Sequence, residues 1–251
     1  MSRILYKYLD LEGAKCMIKN HNLQFTNATQ LNDPFECHQK LIDYSNVVYS
    51  ENNNEPAGEI FAQKLRDNTW LCSLSEINDS ILMWAHYCLS HTGACIGLDI
   101  DKVKEYFHLK PKVHAIRQKE FIEPALFDVQ YKEIIGRPIG NDNIADKVNY
   151  QWKTKAKDWE YEKEVRFVIP YPNQVCSCLG LAAREKKDGC KPHYYATLGK
   201  ECFYSIYFGV NMDEAEKKKM ISFARNKLNP QIKLYQMEVD DNAFRLNPKE
   251  I

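Results

Sequence analysis

No apolar run in the chain approaches the about 18 residues that a membrane-crossing helix needs, so no span is expected in its 251 residues. No charge surplus exists either: 34 Lys and Arg stand against 34 Asp and Glu. That balance argues against an overall electrostatic pull towards nucleic acid or membrane, although local patches stay open. No glycine-rich phosphate loop and no internal repeat is visible. The start, MSRILYKYLDLEGAKC, carries acidic residues early and lacks a signal-like apolar core, which makes cytoplasm the expected location. Nine cysteines, an odd number, sit in contexts such as TWLCSLS and HTGACIGLDI. They read as small buried hydrophobes of a reducing compartment.

What is present is globular: 44% hydrophobic and 12% aromatic residues, with 15 Tyr. The length suits a single domain over 1–251, with insertions expected at 101–158 and, as a loop, at 174–196. RILYKYL, LQFT, TWLCSLS, ACIGLDI, ALFDVQY, FYSIYFGV and QIKLYQMEV read as strands. Helices are expected over DLEGAKCMIKNH, with Asp10 as cap and Ala14, Met17 and Ile18 on one face, and over NDSILMWAHYCLSHTG. Two more are expected from Ile144 to about Lys157 and over DEAEKKKMISFARNKL. Strands and helices mix without regular alternation, which favours an α+β class over a doubly wound sheet.

The richest stretch is WEYEKEVRFVIP, Trp159 to Pro170. Read as a strand, it places Glu160, Glu162, Glu164 and Arg166 on one face at roughly 6.5–7 Å spacing. One reading is an edge strand with a solvated charged face. The other is a carboxylate pair beside an apolar wall, able to stabilise the positive transition state of glycosidic bond cleavage. EKEVRFVIP resembles the E-x-E-V strand of ADP-ribosyltransferases. That resemblance implies mixed, mainly antiparallel sheets forming a split cleft flanked by helices. It makes Glu164 catalytic, Glu162 its partner and NAD the substrate. LCSLSE offers Ser73 and Ser75 for the Ser-x-Ser strand of that superfamily, while YKY stands where it has Arg or His. LYKYLDLE, NLQFTNATQLNDPFE, LCSLSE, MWAHYCLSHTGACIGLD, KDWEYEKEVRFVIP and YFGVNM also resemble, in order, a bacterial family catalogued only as domain of unknown function 2971.

Other stretches admit two readings each. On a helix, Trp84, Tyr87 and His91 of MWAHYCLSH share a face, either as core or as a stacking wall for nicotinamide or adenine. Asn32, Asp33 and Glu36 of QLNDPFE are turn chemistry or a ligand loop. Tyr6, Lys7 and Tyr8 could approach the same site, with Lys7 balancing a pyrophosphate. Cys176, Cys178, Cys190 and His193 have zinc-ligand types at an unfamiliar spacing, set against a plain insertion with free thiols. Lys102, Lys104, Lys110, Lys112, Arg117 and Lys119 form a solvated face or a nucleic-acid dock.

The function expected is therefore an ADP-ribosyltransferase. It cleaves NAD and transfers ADP-ribose to a nucleic acid or protein acceptor. Its class suggests a toxin or phage-defence effector restrained by an antitoxin or inhibitor protein. The alternatives are a metal-dependent nucleic-acid hydrolase using Asp33, His86 and Glu164, and a non-enzymatic interaction module.

Overall fold

Strand β1 (Ile4–Leu9) leads directly into helix α1 (Leu11–Asn20), and Asp10 makes the join. Its carboxylate accepts from the Gly13 amide at 2.6 Å, which satisfies an N–H that the helix cannot. The helix buries Ala14, Met17 and Ile18, the face its periodicity predicts. His21 ends it in the left-handed region at φ 47°, and the chain returns as β2 (Asn22–Asn27).

The computed structural model describes residues 2–43, 57–109, 125–136, 144–172, 182–184 and 190–251. After β2 come α2 (Ala57–Asp67), β3 (Thr69–Ser75), α3 (Ile81–Tyr87), β4 (Ala94–Asp99) and α4 (Ile100–Leu109). Then follow β5 (Ala125–Asp128), β6 (Gln130–Lys132), α5 (Ile144–Lys153), β7 (Thr154–Ala156) and β8 (Glu164–Pro170). The last part holds β9 (Ala182–Arg184), β10 (His193–Thr197), β11 (Phe203–Phe208), α6 (Glu214–Lys227), β12 (Lys233–Val239) and β13 (Leu246–Glu250). The result is a mixed α and β molecule around a mainly antiparallel sheet, ordered β13-β12-β11-β4-β1-β3-β2-β10-β9, with β11 and β12 parallel.

The sheet divides at β3. Along its whole length β3 pairs with β8, from Thr69↔Pro170 to Ser75↔Glu164. Its other edge is shared. Tyr6 of β1 pairs with Ser75 at one end, while Thr26 and Asn27 of β2 pair with Leu71 and Trp70 at the other. Between those contacts β1 and β2 part company, and α1 connects them.

One face of the sheet carries the main core, in which Leu5, Phe25, Ile96, Phe167, Ile206 and Leu234 pack with residues of α1, α4 and α6. The other face packs Tyr8, Cys95, Tyr207 and Met237 against Met83 and Trp84 of α3. Full burial of a large apolar side chain stabilises by about 1.5–3 kcal/mol, so these two layers dominate the energetics of the sheet.

Three expectations need correction. Trp159–Glu162 is not strand. It belongs to a 3₁₀ turn over Lys157–Glu162, and the strand starts only at Glu164. Helix α3 stops at Tyr87, because Leu89, Ser90 and His91 all take positive φ. The 144–157 helix ends at Lys153, giving way to β7. Helix α2 and strand β10 went unread, and β5 joins the main sheet by pairing with β8.

Candidate active site

Where β1 and β2 separate, a cavity of about 590 Å³ opens, a size typical of small-molecule sites. Strand β1 contributes Tyr6, Lys7 and Tyr8, and β3 contributes Ser73. The loop after β2 contributes Asn32 and Glu36, and α3 contributes Tyr87. Lys155, Glu162 and Glu164 close one end. Most of the residues singled out from sequence thus meet in one place. Ser75, Trp84, His91 and Asp33 do not line it.

The two glutamates arrive from different backbone states. Glu162 ends the 3₁₀ turn, Lys163 turns the chain in the left-handed region at φ 44°, and Glu164 opens β8. Ser75 fixes the corner by donating to the Glu162 carbonyl at 2.6 Å, and the Glu76 amide donates to the Lys163 carbonyl at 3.0 Å. Both carboxylates then reach Lys155 of β7, which donates to Glu162 Oε2 and, at 2.9 Å, to Glu164 Oε2. Arg166 lies two residues further along the same strand face. It donates through Nη2 to Glu164 Oε2 at 2.6 Å and through Nη1 to Glu36 Oε1 and to the Trp152 carbonyl.

All five charged groups are buried, with Arg166 at 0% and Glu164 at 4% exposure. Removing charge from water is costly, so such a cluster persists only when it is densely paired. Burial alone would raise the Glu164 pKa. Arg166 and Lys155 overcome that, with help from Ser73, and bring it down to about 2. Glu164 is therefore an anion at neutral pH. Burial likewise works against the charge on Lys155, but Glu164, Glu36 and Glu162 more than offset it, so its pKa lies above the ordinary lysine value. Glu36 goes the other way: burial raises it despite Arg166. Glu164 Oε1 is buried and has no hydrogen bond of full geometry, the Ser73 hydroxyl being the one further donor that acts on the carboxylate among the described residues.

A polar shell surrounds the pair. Tyr87 donates its hydroxyl to Glu162 Oε1 at 2.6 Å and accepts from Asn32 Nδ2 at 3.0 Å. Burial, then Glu162, raises the Tyr87 pKa, so the phenol keeps its proton. Tyr131 of β6 accepts from the Glu164 amide at 2.7 Å. Lys7 donates to the Ser73 carbonyl at 2.8 Å, and no carboxylate pairs with it among the described residues.

Several expected contributors have other roles. Trp84 is 0% exposed, packs edge-on to Tyr8 at 5.5 Å, and donates to the Asn78 carbonyl, so it offers no stacking face to a ligand. His91 sits beyond the end of α3 at φ 66° and does not share the Tyr87 face. Asp33 is a buried turn acceptor for the Phe35 amide at 2.8 Å. His86 is exposed against Tyr161, outside the cavity, so Asp33, His86 and Glu164 do not converge. Among the described residues no group of three His, Cys, Asp or Glu is placed to hold a metal ion. Cys176, Cys178, Lys110, Lys112, Arg117 and Lys119 lie outside the described residues. Cys190 is an exposed free thiol, and His193 is in β10 within 3.4 Å of the Thr26 hydroxyl.

Sequence reasoning found no sign of Lys155 and Tyr131, left Glu36 between turn chemistry and a ligand loop, and read Arg166 as part of a charged strand face. A buried Lys in a strand of three residues has no periodic signature. Arg166 did carry one, since it sits among apolar neighbours in a strand that finishes wholly buried.

Residues 83–167 match a family model described as "Protein of unknown function (DUF2971)". The match runs from α3 into β8 and takes in Tyr87, Lys155, Glu162 and Glu164, but not β1 or Glu36. No curated protein and no solved structure matches the chain.

Proposed function

We propose that the chain is an ADP-ribosyltransferase that cleaves the nicotinamide–ribose bond of NAD in this cavity and passes ADP-ribose to a nucleic acid or protein acceptor. The observation that carries the reading is Glu164. It is ionised and held through one oxygen by Arg166 and Lys155. Its other oxygen makes no hydrogen bond of full geometry, the Ser73 hydroxyl is the further donor acting on the carboxylate, and both residues line a cavity of ligand size.

When the C–N bond breaks, its electron pair leaves with nicotinamide and positive charge builds on the ribose ring. A fixed carboxylate beside that ring lowers the barrier, because its field is in place before the charge appears. Glu164 Oε1 has the capacity to accept a ribose hydroxyl. Glu162, held by Tyr87, stands next to it to orient the acceptor and take its proton as the new bond to ribose forms. Lys7 supplies positive charge for the pyrophosphate, and Tyr6 and Tyr87 offer ring surface to the bases. The parting of β1 and β2 around β3 supports the split-cleft arrangement such a reaction uses.

The test is release of nicotinamide by the purified chain, with transfer of labelled ADP-ribose to protein and nucleic acid from a cell extract. Activity in the unaltered chain and its loss in Glu164→Gln are expected. If the unaltered chain neither hydrolyses NAD nor modifies any acceptor, the reading is wrong.

A further inference from the structure

A strip of aromatic rings runs outward from the two glutamates. Trp159 and Tyr161 of the 3₁₀ turn have ring centres 6.1 Å apart, Tyr161 lies 6.3 Å from His86 of α3, and His86 lies 6.5 Å from Tyr87. None of the four is fully buried, and His86 is exposed. Both ends of the strip are tied to the carboxylate pair. Tyr87 donates to Glu162 Oε1, and Lys155, which reaches both glutamates, lies 5.1 Å from the centre of the Trp159 ring. Trp159, Tyr161 and His86 do not line the cavity, whereas Tyr87, Glu162 and Lys155 do. The strip is therefore a surface outside the cavity that leads to Glu162. Along the turn, rings alternate with charges: Lys157, Asp158, Trp159, Glu160, Tyr161. Lys157 pairs with Glu133 and Glu160 with Lys163, all four exposed, and Asp158 is exposed without an ion pair among the described residues. A protein interface excludes charge from its centre, so this surface is a poor seat for an apolar protein face. Rings set between charges suit a chain of unpaired bases, which stack on aromatic side chains and carry phosphates between them. Exposed ion pairs are weak, so Lys157 exchanges Glu133 for a phosphate at little cost. Asp158 accepts from a ribose 2′-hydroxyl, a donor that DNA lacks.

We propose that the strip of Trp159, Tyr161 and His86 docks single-stranded RNA, and that the acceptor of ADP-ribose is a nitrogen of an unpaired base held beside Glu162. For the transfer step the inference rests on the NAD reading and deepens it. The base nitrogen bonds to ribose C1′ while the electron pair of the broken C–N bond leaves with nicotinamide, and the N–H proton passes to Glu162. The three rings touch no reacting atom. They hold the strand so that one base reaches the mouth of the cavity at Tyr87.

The experiment needs no NAD for its first arm. Of the four tryptophans, Trp70, Trp84 and Trp152 are buried and Trp159 is half-exposed, so a base stacked on the strip should quench the Trp159 emission. A mixed-sequence RNA strand of about ten nucleotides, within the usual site size for single strands, is titrated into the full chain. The same sequence is tested as DNA, as an RNA duplex and as a strand without bases. The RNA strand should quench and bind most tightly, the DNA strand more weakly, and the duplex and the baseless strand should not quench. The slope of log affinity against log salt should be no steeper than about −1.4, the value for two phosphates on a single strand. With labelled RNA followed by anisotropy, Trp159→Leu should weaken binding at least about tenfold, the scale of one lost stack, and Trp159→Phe should restore most of it. Equal binding of the DNA, duplex or baseless strand, a steeper slope, an undiminished affinity in a folded Trp159→Leu, or no binding of RNA overturns the inference. Nicotinamide release and the destination of labelled ADP-ribose are scored separately. RNA binding without nicotinamide release refutes the enzymatic reading alone, and release with the label on protein only refutes this one alone.

Discussion

Glu164 both holds the buried cluster together and presents a charge to the cavity, and substitutions can separate these tasks. Glu164→Gln keeps the shape but removes the charge. Cleavage of NAD should slow by the equivalent of about 3–4 kcal/mol, the scale of one lost preorganised electrostatic partner. Affinity for NAD should change little, because the charge matters most in the transition state. Glu162→Gln should impair transfer to the acceptor more than hydrolysis. Glu160→Gln should be silent, since that side chain is 47% exposed and its one ion pair among the described residues is with Lys163 at 3.5 Å. Rate and binding measurements on the three variants check the order, and a silent Glu164→Gln would sink it. Arg166→Met has a different signature. It takes the guanidinium from Glu36 and leaves the buried Glu164 anion with Lys155 alone as its cation, and should cost about 3–5 kcal/mol of stability in denaturant unfolding. Much of this site was legible at the level of single residues. Spacing pointed to Asn32 and Tyr87 and to the Glu162–Glu164 pair, while the choice of that pair as functional, with Ser73 and Lys7 beside it, came from the resemblance to ADP-ribosyltransferase strands; all six meet in the cavity. Ser75 lies outside the cavity but braces the Glu162 corner, whereas Trp84 was misplaced because burial, not identity, decides whether a side chain faces a ligand. Lys155 was invisible because Thr-Lys-Ala reads like any solvated lysine until β7 is seen to bring it under three carboxylates.

At the scale of elements, the informative failure lies at Lys163. An alternating pattern over Trp159–Pro170 puts Glu162 and Glu164 on one strand face, and both do reach Lys155, but not by that route. Glu162 ends a 3₁₀ turn, and the left-handed Lys163 compensates for the change of period. Period alone cannot distinguish a strand from a turn plus strand that delivers the same two carboxylates. Strand β3 and helix α1 were readable because each has one period throughout and a clear cap or apolar run. Lys163 therefore gives a test of backbone geometry. An L residue in the left-handed region carries roughly 1–2 kcal/mol of strain, most for β-branched side chains. Lys163→Gly should leave stability equal or slightly higher and keep NAD cleavage. Lys163→Val should lower stability by about 1–2 kcal/mol and lose cleavage beyond what that loss explains, because it pulls the two carboxylates out of register. Equal activity in Lys163→Val and Lys163→Gly would mean that the corner does not set the site.

For the whole molecule, the buried cluster ties folding to pH in two opposite ways. Glu164 has a folded pKa of about 2, below the ordinary carboxylate value near about 4.3. Between those values the unfolded chain binds the proton and the folded chain does not, so stability rises with pH there. The contribution is fully present above the unfolded value, is lost as pH falls through about 2, and is on the order of 3 kcal/mol. Glu36 is raised by burial, against Arg166. Its contribution is fully present below the unfolded carboxylate value and is lost as pH rises through its folded value, because the folded chain holds a proton that the unfolded chain has released. The unfolding free energy of the unaltered chain should therefore climb steeply from acid to about pH 4–5 and then decline as Glu36 is forced to ionise. Glu36→Gln cannot ionise. It should keep the acid limb, which belongs to Glu164, and lose the decline above it. Denaturant unfolding of both proteins across the acid to neutral range reads both limbs. A decline that survives in Glu36→Gln would assign it to another group. An acid limb that survives in Glu164→Gln would mean that the acid sensitivity of the fold does not originate in this cluster.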